Sequence, residues 1–497
     1  MKKFARRSFL FGSGAVLGAA GGWYLSRDAA PKGLPFPAGT DAEPDKVLND
    51  ASLLSPTPVS KHIVMREDPK QALVDAIRNE IAEAKAQGRP FIASAARHSM
   101  GGQSLAEDGT VVTMDQDWFD PDSESGICRV AAGLRWATAI AKMDAIGFSP
   151  KVMQSNNDFG VASTFCVNAH GWPVSHGPFG ATVRSFEMVM ADGEQVTCSR
   201  SQNADLFNLT MGGYGLTGVI TEVEMEMAPN ALLVPEYEVM PAEEFGPRFV
   251  DKLKSDPSIP MAYGRTDVTV GSFFDEALMI TYTPAENQDD LPPASGSGFM
   301  SRVARNIFRA QLENDRVKDW RWFLETKLNP QIATGGVTRN SLMNEPVVTL
   351  DDRDPSRTDI LHEYFVSPDR FGDFVRACRD VIPSSYQQLL NITLRFVDTD
   401  DASVLAYATE PRIAAVMLFS QEMTLRGEED MRRMTSALIE RTIEIGGTYY
   451  LPYRLHATDS QFRRGYRRAA EFAEAKRAAD PELVFSNALW QRYIARL

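Results

Sequence analysis

At residues 95–104 the chain reads AARHSMGGQS, directly after the short apolar run 90–95. Small residues that follow a strand let the backbone approach a ligand closely, and they offer N–H groups to a pyrophosphate. A turn of this composition is also common in ordinary loops, and His98 alone is equally consistent with a structural histidine. This stretch alone therefore does not establish a ligand site, and the rest of the chain has to be considered.

Two later segments have the same character. Residues 158–171 read DFGVASTFCVNAHG, and residues 211–221 read MGGYGLTGVIT, with four glycines in seven residues before an alternating strand. The chain has no GxGxxG fingerprint that opens a helix and no GxxxxGK[ST] loop. Three small-residue segments therefore predict a nucleotide-like ligand that is held by several loops rather than by one motif.

The composition indicates a globular protein of two to three domains. Of 497 residues, 43% are apolar and 24% charged, and the net charge is −14. These values exclude a disordered chain, a collagen-like fibre and a polytopic membrane protein. An acidic chain repels phosphate backbones, so we expect no nucleic-acid partner. Four cysteines without a CxxC pair, and six histidines without an HxxxH pair, predict neither a disulfide framework nor a metal site.

The N-terminus has the pattern of an export signal. Arg6-Arg7 precedes Phe9-Leu10 and a Gly- and Ala-rich apolar run to Leu25, which is typical of the twin-arginine pathway. We therefore expect residues 1–30 to be a signal peptide read by the export machinery, and the protein to be periplasmic or extracellular. An uncleaved signal that tethers the protein to the membrane is the alternative.

Local patterns predict an α+β fold. Asp192-Gly193 between two apolar runs is a strong hairpin signal, and residues 217–227 alternate as a strand with one buried face. Residues 31–60 are Pro-rich and irregular, which favours a linker. Other predicted elements include helices over 68–88 and 135–146, strands over 110–114 (alternating) and 128–132, and a basic helix over 460–479.

In this order, the segments resemble the flavoproteins of the vanillyl-alcohol-oxidase and p-cresol-methylhydroxylase superfamily, and most of all the aldonolactone and alditol oxidases and the decaprenylphosphoryl-ribose oxidases. The likeness is close over 60–230, loose over 231–450 and good over 450–497. The motifs that carry it are ARHSMGGQS, VNAHG, RSFEMVMADGE and GGYGLTGVITEVEM, with Glu363-Tyr364-Phe365-Val366 and the tail around Phe485-Ser486-Asn487.

The resemblance implies a two-lobed, PCMH-type FAD-binding domain with an α+β cap domain that binds the substrate. The FAD-binding domain would cover 61–229, the cap 230–450, and residues 451–497 would return to the FAD-binding domain. FAD would accept a hydride at N5 from a CH–OH group of a small sugar, polyol or lactone-like substrate, and oxygen or a quinone-like carrier would reoxidise it. The alternatives are a CH–NH donor, a dehydrogenase that reacts poorly with oxygen, and a non-catalytic exported protein that binds FAD or another ligand.

The resemblance also assigns cofactor contacts. His98 stands where the covalent members carry the histidine that is bonded to the flavin, but the ribose-oxidase branch lacks it, so covalent and noncovalent FAD both stay open. Cys166 follows the Gly160 turn, so we expect a buried thiol rather than a second covalent link. The other expected FAD contacts are Ala95, Ala96, Arg97, Ser99, Gln103, Gly160, Ser163, Asn168, His170, Gly171, Gly218, Val219, Ile220 and Asn487.

The catalytic residues are expected just before the C-terminal helix. Lactone oxidases carry a His-Trp-x-Lys pattern there and ribose oxidases a lysine, whereas residues 446–456 of this chain read GGTYYLPYRLH. We expect Arg454 or His456 to supply the positive charge or the base, and Tyr453 to donate a hydrogen bond. Packing at the domain junction is the alternative role for these side chains.

Overall fold

The computed structural model describes residues 46–174, 176–295, 309–332, 336–345 and 354–497. The predicted signal peptide, 1–30, lies outside these residues. Within them the fold is α+β, as the sequence predicts. No helix in the described ranges is long and apolar enough to cross a membrane.

Residues 46–60 belong to the folded core, in contrast to the linker that we expected over 31–60. Strand β1 (Val47–Leu48) pairs antiparallel with β2 (Thr57–Pro58). Leu48 and Val59 are buried in a cluster with residues of the first domain. Burial of these apolar side chains anchors a stretch whose composition alone indicates irregular backbone.

A small parallel sheet comes next. Strand β3 (Lys61–Met65) is followed by helix α1 (Gln71–Ala86) and β4 (Phe91–Ser94), and both strands pair in parallel with β5 (Thr110–Met114). The helix predicted over 68–88 is thus confirmed. All five residues of β5 are buried, so the alternation predicted there is wrong, because a central parallel strand is covered on both faces.

An antiparallel sheet completes the first domain, with the strand order β10-β9-β11-β7-β6 and with β8 paired to β11. The predicted Asp192-Gly193 hairpin is confirmed, since β9 and β10 pair on either side of it. Strand β11 alternates as predicted. The elements are β6 (Phe119–Asp122), β7 (Ile127–Ala131), α2 (Trp136–Asp144), β8 (Phe148–Pro150), α3 (Val161–Cys166), β9 (Val183–Val189), β10 (Gln195–Ser199), α4 (Ala204–Thr210) and β11 (Val219–Pro229).

The second domain is built on a sheet that has eight strands in the described part of the chain, ordered β15-β12-β14-β13-β17-β18-β16-β19. The helices over 245–255, 371–381 and 425–444 pack against one face of the sheet, and the other face is turned to the first domain. The elements are β12 (Leu232–Pro241), α5 (Phe245–Ser255), β13 (Met261–Thr266), β14 (Glu276–Pro284), α6 (Asp315–Phe323), α7 (Asn329–Ile332), β15 (Val337–Thr338), α8 (Arg339–Met343), β16 (Arg357–Val366), α9 (Phe371–Val381), β17 (Gln388–Val397), β18 (Arg412–Glu422), α10 (Leu425–Glu444) and β19 (Thr448–Tyr449).

The last 47 residues contact the first domain again. Phe91 donates its backbone N–H to Val484 O at 2.7 Å and packs its ring against Phe485. The single helix predicted over 460–479 is two helices, α11 (Asp459–Gly465) and α12 (Ala469–Ala479). The break falls at Tyr466, which is buried and donates its hydroxyl to the Tyr449 carbonyl.

Candidate functional site

A cavity of about 350 Å³ lies between the first domain and the eight-stranded sheet. The loop after β4, the start of α3 and the turn before β11 form one wall, and strands β13, β16, β17 and β18 form the other. The cavity brings most of the predicted cofactor contacts together. Those that line it are Ala95, Ala96, Arg97, His98, Ser99, Gln103, Gly160, Ser163, His170, Gly218 and Ile220.

His98 is held by two neighbours. Its Nε2 lies 2.8 Å from Asp158 Oδ2, and its ring centroid lies 4.4 Å from that of Phe159. The hydrogen bond from His98 lowers the pKa of the Asp158 carboxyl. The other ring nitrogen, Nδ1, is buried and has no hydrogen-bond partner among the described residues. The imidazole is thus oriented through one nitrogen while the other stays unpaired.

The small residues of the first wall are there because two segments approach each other closely. A Cβ added to Gly160 would lie 2.7 Å from Ala95 Cβ, and one added to Gly101 would lie 2.6 Å from Tyr453 O. Gly102 has φ +73° and donates its N–H to Asp50 Oδ2 at 2.8 Å. The loop is therefore fixed from both sides, by the segment that contains Asp50 and by the C-terminal segment.

Four predicted cofactor residues support the wall without lining the cavity. The Asn168 amide bonds Asp400 Oδ2 and Gly180 N, at 2.8 and 2.9 Å. Asn487 donates to the Gln103 and Tyr214 carbonyls. A Cβ on Gly171 would meet Met153 O at 1.8 Å, and Val219 is buried in the core of the first domain.

The opposite wall has a row of side chains that crosses four strands. Arg265 on β13 pairs with Thr393 on β17, Thr393 with Val416 on β18, and Val416 with Glu363 on β16. All four residues line the cavity. Cross-strand partners share a face of the sheet, so the row has a cation at one end and a carboxylate at the other.

The carboxylate end is a buried hydrogen-bonded cluster. Glu363 Oε1 lies 2.5 Å from His170 Nε2, and the Tyr453 hydroxyl donates to Glu363 Oε2 at 3.3 Å. The His170 and Glu363 side chains are 4% and 2% exposed. Burial lowers the pKa of His170, which favours a neutral imidazole that donates its Nε2–H to the carboxylate. Burial also raises the pKa of Tyr453 far above its usual value.

Arg395 is the buried cation next to this cluster. It donates to the His170 carbonyl at 3.1 Å and to Ser155 Oγ at 2.8 Å, and it lines the cavity. Burial lowers its pKa, an effect that the charge of Glu363 opposes. The positive charge that we expected from Arg454 is thus supplied to the cavity by a residue of the second domain.

Arg454 and His456 do not line the cavity, so the sequence-based placement of both side chains at the reacting centre is corrected. Arg454 NH2 and His456 Nε2 both contact Glu428 Oε1, at 2.5 and 3.0 Å. Arg454 also donates to the Met100 carbonyl. A buried carboxylate on α10 draws both side chains away from the cavity. Of the three expected catalytic residues, only Tyr453 reaches the cavity.

Sequence reasoning missed Arg265 and Arg395, and it treated Glu363 only as part of a family motif. One signal was present: Asn391, Thr393 and Arg395 alternate with apolar residues in the strand QLLNITLRFV. That alternation reads as a solvent-facing side. Only the packing of the first domain against this face turns it into a cavity wall. Cys166 lines the cavity too, and burial raises its pKa to about 12.

Comparison with known families agrees with this geometry. A family model described as an FAD binding domain matches residues 72–199, a range that includes His98, Gly160 and His170. The chain carries an FAD-binding domain of the vanillyl-alcohol-oxidase and p-cresol-methylhydroxylase superfamily. FAD is therefore its cofactor. The closely packed backbone of the first wall and the unpaired Nδ1 of His98 are suited to contact FAD.

The chain of this FAD-binding protein is similar to several curated relatives over part of its length. It is 29% identical to cytokinin dehydrogenase 1 of Oryza sativa subsp. japonica over 229 residues, which are 43% of this chain and 42% of the relative. It is 31% identical to cytokinin dehydrogenase 1 of Arabidopsis thaliana over 28% of this chain and 25% of the relative. The chain is also 29% identical to a putative D-arabinono-1,4-lactone oxidase of Neurospora crassa, over 22% of this chain and 19% of the relative. The matches thus span less than half of the relatives' length.

Proposed function

We propose that the protein is an exported FAD-dependent oxidoreductase that oxidises a CH–OH group of a small, sugar-, polyol- or lactone-like substrate. The observation that carries the proposal is the buried cluster of Glu363, His170 and Tyr453 on the cavity wall opposite the His98 loop. Oxidation of an alcohol needs an acceptor for the hydroxyl proton within hydrogen-bond reach, and the buried carboxylate of Glu363 supplies one.

FAD, when bound, accepts the hydrogen of the donor carbon as a hydride, that is with two electrons. The hydroxyl proton goes to the protein, and we assign it to Glu363 Oε2. His170 keeps Oε1 occupied as a hydrogen-bond acceptor, and Tyr453 orients the carboxylate through Oε2. Arg395 keeps a positive charge beside the cavity.

We propose in addition that His98 bonds covalently to the flavin 8α-methyl carbon through Nδ1. This bond would replace a C–H bond of the methyl group and an N–H bond of the imidazole, two protons would be released, and two electrons would pass through the flavin to oxygen or the carrier. The support is that Nδ1 is buried without a partner while Asp158 holds Nε2. The test is acid precipitation of the purified protein. Yellow colour that stays with the pellet, and that His98→Ala releases, is the expected result. Colour in the supernatant would mean noncovalent FAD, and a colourless protein that takes up no FAD would overturn the whole proposal.

The donor group is tested separately, because the cytokinin dehydrogenase relatives favour a CH–NH donor and the lactone oxidase relative favours a CH–OH donor. Anaerobic mixing with sugars, alditols, lactones and secondary amines, followed at the flavin absorbance, distinguishes them. We expect the alcohols to bleach the flavin. Bleaching by the amines alone would overturn the CH–OH assignment, and no bleaching by any donor would favour a non-catalytic binding protein.

We propose oxygen or a quinone-like carrier as electron acceptor and the twin-arginine pathway for export. Stopped-flow mixing of the reduced protein with oxygen distinguishes an oxidase from a dehydrogenase, since slow reoxidation would leave only the carrier. Replacement of Arg6 and Arg7 by lysine should keep the protein in the cytoplasmic fraction. Export that persists in this double variant would contradict the proposed route.

A further inference from the structure

Two arginines of the second domain line the cavity without a hydrogen bond to a carboxylate. Arg265 donates to Asn391 Oδ1 at 2.5 Å. Arg395 donates to the His170 carbonyl and to Ser155 Oγ. All three acceptors are neutral, and neither guanidinium is hydrogen-bonded to a carboxylate in the described part of the chain. The cavity wall thus has two positive charges whose hydrogen-bond acceptors are neutral, and the carboxylates of Glu325 and Glu363 act on Arg265 and Arg395 only through charge.

Two donors in the cavity wall have no partner in the described part of the chain. Arg395 is only 8% exposed, and its Nε has no partner among the residues that the structure describes. Trp172, which lines the cavity and stacks on Tyr263 at 4.3 Å, has an unpaired buried Nε1–H within the same set of residues. A buried cation and unpaired donors are unfavourable unless a ligand supplies acceptors or negative charge.

The register of the sheet separates Arg265 from the proton acceptor. Arg265 and Glu363 stand at opposite ends of the four-strand row, three inter-strand spacings or roughly 14 Å apart. Val416 and Leu418 line the cavity between them. Arg395, two residues after Thr393 on the same face of β17, lies diagonally from Arg265 on the neighbouring strand. One elongated molecule can contact both ends.

We propose that Arg265 binds a carboxylate group of the donor, so that the substrate is an acidic small molecule whose oxidised carbon lies at the Glu363 end of the row. A guanidinium recognises a carboxylate through paired N–H donors, which the neutral acceptors around Arg265 do not exploit. This inference rests on the proposed function, because it names the chemical class of its donor.

The test compares a matched acid and amide on the flavin-containing protein. Phenylacetate and phenylacetamide have the same size and an aromatic ring suited to Trp172, and they differ in charge. Calorimetry and perturbation of the flavin absorbance measure their binding. We expect phenylacetate to bind at least about tenfold tighter, and Arg265→Gln to weaken it by about 10- to 100-fold, the effect of a lost charged hydrogen bond. Phenylacetamide affinity should not change.

Arg265→Lys is the charge-preserving variant and should restore part of the affinity for phenylacetate. Arg248→Gln is the control, since Arg248 is an exposed arginine of the same domain that pairs with Glu238 and Glu244. Equal binding of acid and amide, binding of neither, or Arg265→Gln without effect would overturn the inference. If the flavin is retained and an alcohol donor still bleaches it, the proposed function stands. Absence of flavin would overturn the proposed function instead. Calorimetry would still measure whether the protein binds phenylacetate more tightly than phenylacetamide.

Discussion

Glu363 is the residue on which the proposed chemistry depends, and its surroundings explain how it is held ready. Its two oxygens have different partners, since His170 occupies Oε1 and only the longer Tyr453 contact occupies Oε2. Each carboxylate oxygen has two lone pairs, so Oε2 can accept a proton from the donor in addition to the hydrogen bond from Tyr453. The short hydrogen bond with His170 therefore makes Oε1 the oxygen that holds the carboxylate in place, and it leaves Oε2 as the oxygen that accepts the proton.

Glu363→Gln should slow flavin reduction by about 10²- to 10⁴-fold, because an amide cannot accept the donor's proton. The measurement is anaerobic stopped-flow reduction with the best donor at saturating concentration. Glu236→Gln is the matched control, because Glu236 is an exposed residue of the same domain whose carboxylate pairs with Lys252. Reduction of the Glu363 variant at the wild-type rate, with the flavin content unchanged, would mean that another group takes the proton.

At the scale of elements, the loop at 95–104 is positioned by the segments that pack on both of its sides. Met100 donates its backbone N–H to Pro452 O, Gln103 donates to Leu451 O and Tyr453 O, and Gly102 donates to Asp50. The loop thus connects the C-terminal segment to residues 46–60. Any change that separates these elements should alter the position of Tyr453, although the change itself lies outside the cavity.

Gly101→Ala tests this coupling. The added methyl group would lie 2.6 Å from Tyr453 O, a backbone atom that cannot swing away, so we expect a loss of about 1–3 kcal/mol in the free energy of unfolding and a lower flavin content. Gly271→Ala meets open space and should change stability by less than about 0.5 kcal/mol. Urea denaturation and flavin absorbance measure both effects. Equal stability of the two variants would contradict the tight approach.

The cluster that joins α10, β16 and the C-terminal segment predicts loss of stability in acid. Burial lowers the pKa of both His362 and His456, whose rings are 5.6 Å apart. Burial raises the pKa of Glu428, but the bond from His456 and the charge of Arg454 outweigh it and hold that pKa well below its usual value. Groups whose folded pKa is depressed stabilise the protein above their unfolded pKa and lose this contribution as the pH falls.

The histidines should therefore begin to destabilise the fold below about pH 6.5, and Glu428 should follow below about pH 4.5, their unfolded pKa values. Thermal unfolding at one scan rate between pH 8 and pH 4 measures this. His362→Gln removes one titrating group and should show a shallower decline between pH 7 and pH 5 than the wild type. Parallel curves for the two proteins would show that His362 does not contribute.

At the scale of the whole molecule, one buried carboxylate holds the chain end against the first domain. Asp480 bonds Lys476 Nζ at 2.5 Å and accepts the backbone N–H groups of Val484 and Phe485, and both charged side chains are fully buried. Phe485 then packs in the core of the first domain. The Tyr453 side of the cavity therefore depends on a contact made some 30 residues later in the chain.

Asp480→Asn should cost about 3–5 kcal/mol, because it leaves the Lys476 ammonium buried without its counter-charge, and the loss should include release of FAD. Asp459→Asn removes a half-exposed carboxylate that pairs with Arg492, and it serves as the control with little expected effect. Urea unfolding followed by both tryptophan fluorescence and flavin release measures the two variants. A stable Asp480 variant that keeps its FAD would show that the chain end is anchored elsewhere.

Local pattern was enough to predict the α+β class, the Asp192-Gly193 hairpin and the alternation of β11, because each of these depends on residues close together in the sequence. The three small-residue segments were recognisable for the same reason, since close backbone approach needs small side chains wherever the chain passes the ligand. The cavity-lining positions among 95–99 follow directly from that requirement. The FAD-binding domain was predicted from the resemblance of several motifs, in their order along the chain, to a known superfamily.

Tertiary packing decided which charged side chains face the cavity. Arg265, Glu363 and Arg395 come from strands far apart in the chain, and they meet only through the cross-strand register of β13, β17, β18 and β16. Arg454 and His456 stand next to Tyr453 in sequence, yet they turn to Glu428, 26 and 28 residues earlier. In an irregular segment no periodicity tells which way a side chain points, because the direction is set by the partner with which it forms its strongest buried interaction.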